Sequence, residues 1–266
     1  MYNVFMQFKM WSPLHFVYIL SPFLILGALW LLLRKRSEKA KYIVGVVIGC
    51  LSLAILLVRN IDIYVREGFH PEIIPLQVCH FGNIAVFVAL VFKNKTAGAM
   101  AWCLNLVCAF SSLIVADSLA GYPTFFMIRA QAYFWGHLFI VLGALYAVLF
   151  GIVKIDRKAF LMSIGCSFVI LIPAMILNPY FMNVMEVFPP INYFYIFNSH
   201  GIPFEMFYDL GTMRYYGWFS INYVYTLIIL AIGIAGMTGF YFLQKWLQKF
   251  VFAKKEVAAT PPPIFS

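Results

Sequence analysis

Seven apolar stretches, each long enough to cross a lipid bilayer, limit what this chain can fold into more than any other feature does. They lie at about 13–33, 41–58, 72–92, 97–117, 131–152, 159–178 and 217–242 of the 266 residues, and a helical span needs about 20 apolar residues. Lipid offers a bare backbone no hydrogen-bond partner, so a segment of this length and composition must be a helix. The expected fold is therefore all-α, a polytopic seven-transmembrane-helix bundle. Only 11% of the residues are charged, against about 25% in soluble domains, which excludes a soluble globular chain.

The basic residues fall in step with that count. Arg34, Lys35, Arg36, Lys39 and Lys41 lie between spans one and two, and Lys93 and Lys95 between three and four. Lys154, Arg157 and Lys158 lie between five and six, and Lys245, Lys249, Lys254 and Lys255 at and beyond the end of span seven. The opposite face keeps only Lys9, Arg59, Arg66, Arg129 and Arg214. The positive-inside rule then predicts an N-terminus outside and a C-terminus in the cytoplasm. The formal net charge of +9 thus reads as orientation in a plasma membrane, and nucleic acid is not expected as a partner. The first apolar run is followed, not preceded, by its basic cluster, the reverse of a signal peptide, so it is expected to remain as a span.

Residues 1–253 read as a single membrane domain, and 254–266, ending in PPPIFS, as a disordered cytoplasmic tail. No internal repeat is visible. Pro173 predicts a kink in span six, and Gly233, Gly236 and Gly239 predict close helix packing by span seven. The connection at about 179–216 is too aromatic for a solvated loop. It is expected either to cover the bundle mouth as a lid or to lie in the membrane interface as an aromatic belt.

Polar variety concentrates on the outer side, and one stretch there carries chemistry: IPLQVCHFGN, residues 74–83. It sets Cys79 among Gln77, His80 and Asn83 inside an apolar run, where polar groups must face the protein interior or a wet cavity. A helix running inward from about 72 puts Cys79 about 10 Å below its outer end, at 1.5 Å per residue, and one beginning near 130 puts His137 at a similar depth. A thiol in apolar surroundings is a poor nucleophile without a base beside it, a role open to His137 or His80. Asn83, Asn105 or Asn192 could orient the imidazole or donate to an oxyanion. Cys50, Cys103, Cys108 and Cys166 read as packing residues. With no close-spaced ligand motif, neither a metal nor another cofactor is expected.

PLQVC at 75–79, FWGH at 134–137 and NYFY at 192–195 resemble, in order and separation, three motifs of the bacterial YwaF-like integral membrane proteins and their eukaryotic relatives, the transmembrane protein 164 family. The resemblance covers roughly residues 13–240. It implies seven helices, a bacterial source and, from the eukaryotic branch, a phospholipid-remodelling acyltransferase whose Cys and His correspond to Cys79 and His137. Its pattern usually has His at the position of Gln77, so His80 stays open as the base.

The leading expectation is a membrane-embedded acyltransferase that moves a fatty acyl group between a phospholipid and a lysolipid through a Cys79 thioester. Its site lies in the outer half of the bundle, where Arg129 and Tyr193 join the polar groups named above as substrate-pocket residues. A non-enzymatic transporter or lipid- or solute-binding protein with an outward-facing polar cavity is the alternative. A structural subunit of a larger membrane complex is a third.

Overall fold

The computed structural model describes residues 8–116, 119, 121–187, 191–198 and 205–257. Seven helical segments are long and apolar enough to cross a membrane. In chain order, α1 is Pro13–Leu33, α2 Glu38–Glu67 and α3 Val78–Phe92. The fourth span joins α4 (Lys95–Met100), a π-helical turn (Ala101–Asn105) and α5 (Leu106–Ile114). Then come α6 (Ile128–Leu149), α7 (Arg157–Asn183) and α8 (Tyr223–Val257), with an antiparallel hairpin of β1 (Arg214–Tyr216) and β2 (Phe219–Ile221) ahead of α8.

Most helix starts carry a polar cap, and two at the hairpin end do not. At the basic end, α2, α4 and α7 each begin with a polar cap: Ser37, Asn94 and Asp156 accept from the N–H groups of Ala40 (3.3 Å), Ala97 (2.9 Å) and Ala159 (2.8 Å). These caps satisfy backbone donors that no helix can pair internally. The Ala159 N–H, and then Lys95 at 2.9 Å, hold the Asp156 carboxyl below the usual carboxylate range. At the other end, the hairpin end, Ser12 and Asn222 cap α1 and α8 by accepting from the N–H groups of His15 (3.3 Å) and Tyr225 (3.1 Å), whereas α3 and α6 begin at Gln77 and Met127 with no side-chain cap.

α6 is the central helix, packed by α1, α2, α3 and α5. Lipid chains are as apolar as leucine, so association here depends on close packing rather than on escape from water. Outward-facing Leu24, Leu32, Val65, Val169 and Leu227 are accordingly exposed. Two glycines let α3 approach its neighbours: a Cβ on Gly143 of α6 would strike Val86 of α3, and one on Gly82 of α3 would lie 3.1 Å from both Asn105 and Ile140. Gly143→Leu is therefore expected to destabilise the bundle by about 1–3 kcal/mol through overpacking. Thermal unfolding in detergent, followed by size-exclusion retention, measures this.

Several boundaries depart from expectation. α2 continues nine residues past the expected end of span two, through Glu67, and α7 continues to Asn183. The seventh span starts at Tyr223 because residues 214–221 turn back as the hairpin, with Gly217 at φ +65° in the first central position of a two-residue turn. α8 stays helical through Val257, so residues 254–257 of the expected tail belong to it; 258–266 lie outside the described residues. The close packing expected at Gly233, Gly236 and Gly239 is not found. A Cβ on any of them would meet nothing within 4 Å.

Candidate functional site

The chain between α2 and α3 is broken where a continuous helix was expected. Pro71–Ile73 form a 3-10 turn, and Ile74, with ψ 123°, is extended ahead of Pro75. A residue before proline is pushed out of the helical region, and proline offers no N–H to continue a ladder. Arg59 and Asn60 of α2 hold the break by donating to the Glu72 and Ile73 carbonyls at 3.2 and 3.0 Å. α3 therefore starts at Val78, and Cys79 falls on its first turn rather than 10 Å along a longer helix.

Without a cap from Gln77, the amides of Val78, Cys79 and His80 have no acceptor within α3. An uncapped helix N-terminus favours negative charge. The carbonyls of this turn are held from the side. Asn105 Nδ2 donates to Val78 O at 2.9 Å, and Asn83 Nδ2 to Cys79 O at 3.1 Å while Asn83 Oδ1 accepts from Ser52 at 2.8 Å. Both asparagines thus grip the Cys79 turn. Asn105 closes the π turn, whose extra residue per turn re-aims a side chain.

A cavity of about 620 Å³ runs from the hairpin end towards the middle of the bundle. Arg59, Glu72, Gln77, Tyr122 and Arg129 line its polar mouth. Arg59 pairs with Glu72 at 2.5 Å and Arg129 with Glu67 at 2.6 Å; burial pushes the Tyr122 hydroxyl up. Deeper, Cys79, His80, Asn83 and His137 share the wall with Ser112 and Cys108. Cys103 and Cys108 were expected to be packing residues, yet both face the cavity. Arg59 was missed as a site residue because span two was expected to stop at 58.

His137 Nδ1 lies 2.6 Å from the carbonyl of Tyr133, one turn back, and its ring packs on the Tyr133 ring at 4.2 Å. A carbonyl only accepts, so the proton sits on Nδ1 and Nε2 keeps its lone pair. Cys79 Sγ meets Ser112 Oγ at 4.0 Å, and the Ser112 hydroxyl donates to Cys108 O at 3.0 Å. Among the described residues no direct hydrogen bond joins Cys79 to His137. His80 Nδ1 is buried with no partner among the described residues.

The aromatic connection does reach the site, one register on from the expected pair. Asn192 folds onto its own loop, donating to Asn198 O at 2.6 Å and accepting from Phe197 N at 3.0 Å. Tyr193 is fully buried, its hydroxyl donating to Pro71 O at 2.6 Å and its backbone exchanging bonds with Asn178 at 2.7 and 3.0 Å. Neither lines the cavity; Phe194, Tyr195 and Ile196 do. Phe194 and Tyr195 are both left-handed, at φ +56° and +55°, a backbone state that non-glycine residues hold only when surroundings enforce it. Burial pushes the Tyr195 hydroxyl up, and the Cys79 and Cys108 thiols add to the effect, so Tyr195 shares the cavity wall with Cys79 as a neutral hydroxyl.

Seven spans around a polar-mouthed cavity with a cysteine at a broken helix define a polytopic helical membrane protein with an internal cavity. The chain belongs to the TMEM164 family, whose family model matches residues 10–238. That span takes in the broken helix, the π turn, α6 and the aromatic connection. Comparison with curated proteins and with solved structures gives no match.

Proposed function

We propose that the protein is a membrane-embedded acyltransferase in which Cys79 carries the acyl group and His137 moves the protons. The observation that carries this reading is the placement of Cys79 on the uncapped first turn of α3, facing the same cavity as His137. His137 Nε2 takes the thiol proton, and Sγ attacks the carbonyl carbon of a phospholipid ester. The C–S bond forms, the ester C–O bond breaks, and the departing lysolipid oxygen takes the proton back from Nε2. In the return half, Nε2 deprotonates the hydroxyl of a lysolipid acceptor, its oxygen attacks the thioester, and Sγ leaves to regain the proton. Amides of the first turn of α3 are the donors for the oxyanion.

Thiol-directed activity probes, with a fluorophosphonate as control, test this on membranes carrying the unsubstituted chain and Cys79→Ala. Labelling of Cys79 by the thiol probe, together with transfer of labelled acyl groups to lysolipid, is the expected result. Probe labelling without turnover on any lipid class would favour a lipid- or solute-binding protein.

The mouth of the site is proposed to face outward across a plasma membrane, because the opposite end carries Arg34, Lys35, Arg36, Lys154 and Lys158 among its basic residues. A C-terminal green fluorescent fusion is then expected to fluoresce and a C-terminal alkaline phosphatase fusion to be inactive. The reverse pair of results inverts the topology.

A further inference from the structure

We propose that the cavity opens sideways into the bilayer between α7 and α8, and that a fatty acyl chain of a membrane lipid enters through this window. At the basic end α7 and α8 are joined by the stacked rings of Phe160 and Tyr241, 4.4 Å apart, and α8 is fastened to the π turn by Trp102 Nε1 donating to Phe240 O at 2.9 Å. At the hairpin end Asn183 of α7 donates to Trp218 O at 2.7 Å and to Ser220 Oγ at 2.9 Å, tying α7 to the hairpin that leads into α8. Between these ties the two helices do not pack closely. Phe168 of α7 and Ile234 of α8 belong both to the cavity wall and to the exposed surface of the bundle.

The lining decides the occupant. This limb is walled by Ile164, Leu171, Leu230 and Met237, with Gly233 and Gly236 presenting bare backbone to open space. Ser167, its polar member, already donates to Ser163 O at 2.9 Å in its own helix. A polar solute would find only the Ser167 oxygen as an acceptor there, and a protein helix about 10 Å across is too wide. An alkyl chain needs no partner, and lipid chains are what surround the bundle at this depth. The volume of about 620 Å³ lies within the range of about 300–1,000 Å³ typical of pockets that enclose small ligands. The glycines leave the limb unfilled. The inference rests on the acyl-transfer reading only for what happens to the chain at Cys79.

The test uses the full chain carrying Cys79→Ala, in phosphatidylcholine nanodiscs doped with a phospholipid bearing a diazirine at its acyl terminus. After photolysis, labels are expected on Leu104 and Val107, which line the cavity, as well as on outward-facing Val169 and Leu227. Gly236→Leu, and independently Gly233→Leu, are expected to abolish labelling at Leu104 and Val107 while leaving Val169 and Leu227 labelled. Gly239→Leu, whose side chain also meets open space but lies off the cavity wall, is expected to leave the whole pattern unchanged. Labels confined to Val169 and Leu227 in the chain with all three glycines intact would overturn the window, as would inner labels indifferent to both blocking substitutions. Because this readout needs no turnover, transfer is measured separately on the unsubstituted chain: inner labelling of Cys79→Ala with no acyl transfer by the unsubstituted chain supports the window and sinks only the enzymatic reading. Transfer by the unsubstituted chain without inner labelling of Cys79→Ala does the opposite.

Discussion

Cys79→Ala is expected to lose acyl transfer altogether, and His137→Ala to reduce it by on the order of 10²–10⁴-fold, the usual contribution of a positioned acid or base. The two losses differ in kind. In the proposed mechanism alanine at 79 removes the atom that would carry the acyl group, so no thioester should form and no acyl-enzyme should be trapped. Alanine at 137 leaves the thiol in place, and a slow acyl-enzyme should still accumulate when the lysolipid acceptor is withheld. Neither variant should lose its fold: Cys79 sheds one methylene-sized group from a cavity wall, worth about 1 kcal/mol or less, and His137 gives up one bond to its own helix, at Tyr133 O. Mass spectrometry of the intact chain after incubation with an ester-labelled phospholipid separates the cases. An acyl adduct that persists in Cys79→Ala would move the chemistry to another side chain. Equal turnover in His137→Ala would move the base to His80, the neighbouring imidazole with an unpartnered Nδ1.

The spans were legible in the sequence because their signal is thermodynamic: a run of about 20 apolar residues has few other places to go, and the basic loops fall in step with it. What escaped were the places where local chemistry overrides that signal. Ile74–Pro75 announced the break before α3, but apolar continuity on either side concealed it, and with it the position of Cys79 on a first turn. Arg59 was set outside its helix because charge usually marks a span's end; here it pairs with Glu72 in the cavity wall. Gly233 and Gly236 illustrate a deeper ambiguity. Small residues are favoured both where two helices touch and where a space must be kept open, and spacing alone does not separate the two. The π turn at Ala101–Asn105 left no mark in composition. Asn83 and Asn105 were identifiable as polar groups inside spans, but that they grip the Cys79 turn is a fact of packing.

If the aromatic connection acts as a lid, Tyr195→Ala is expected to raise hydrolysis relative to transfer and Tyr193→Ala to do so more strongly, because Tyr195 lines the cavity and Tyr193 holds the connection to Pro71 and Asn178. Aromatic density suggested burial of this connection with Asn192 and Tyr193 as its inward face; among its described residues Phe181 and Tyr193 are buried, while Tyr215 and Tyr216 are exposed. Two successive left-handed residues, Phe194 and Tyr195, turn the chain so that the next ring along meets the cavity. Such conformations cost of order 1–3 kcal/mol each, and the bonds from Tyr193 to Pro71 and Asn178 hold them in place. Tyr193→Phe deletes only the hydroxyl bond to Pro71 O, leaving a buried carbonyl without its donor at about 1–3 kcal/mol. It should loosen the lid while keeping its apolar wall. A thioester at Cys79 survives only while water is excluded, so each loosening should divert acyl groups from lysolipid to water. Release of free fatty acid against transfer to added lysolipid, measured for all three variants at matched folded concentration, gives the partition directly. An interfacial belt would instead weaken membrane retention or thermal stability with the partition unchanged, and that result would sink the lid.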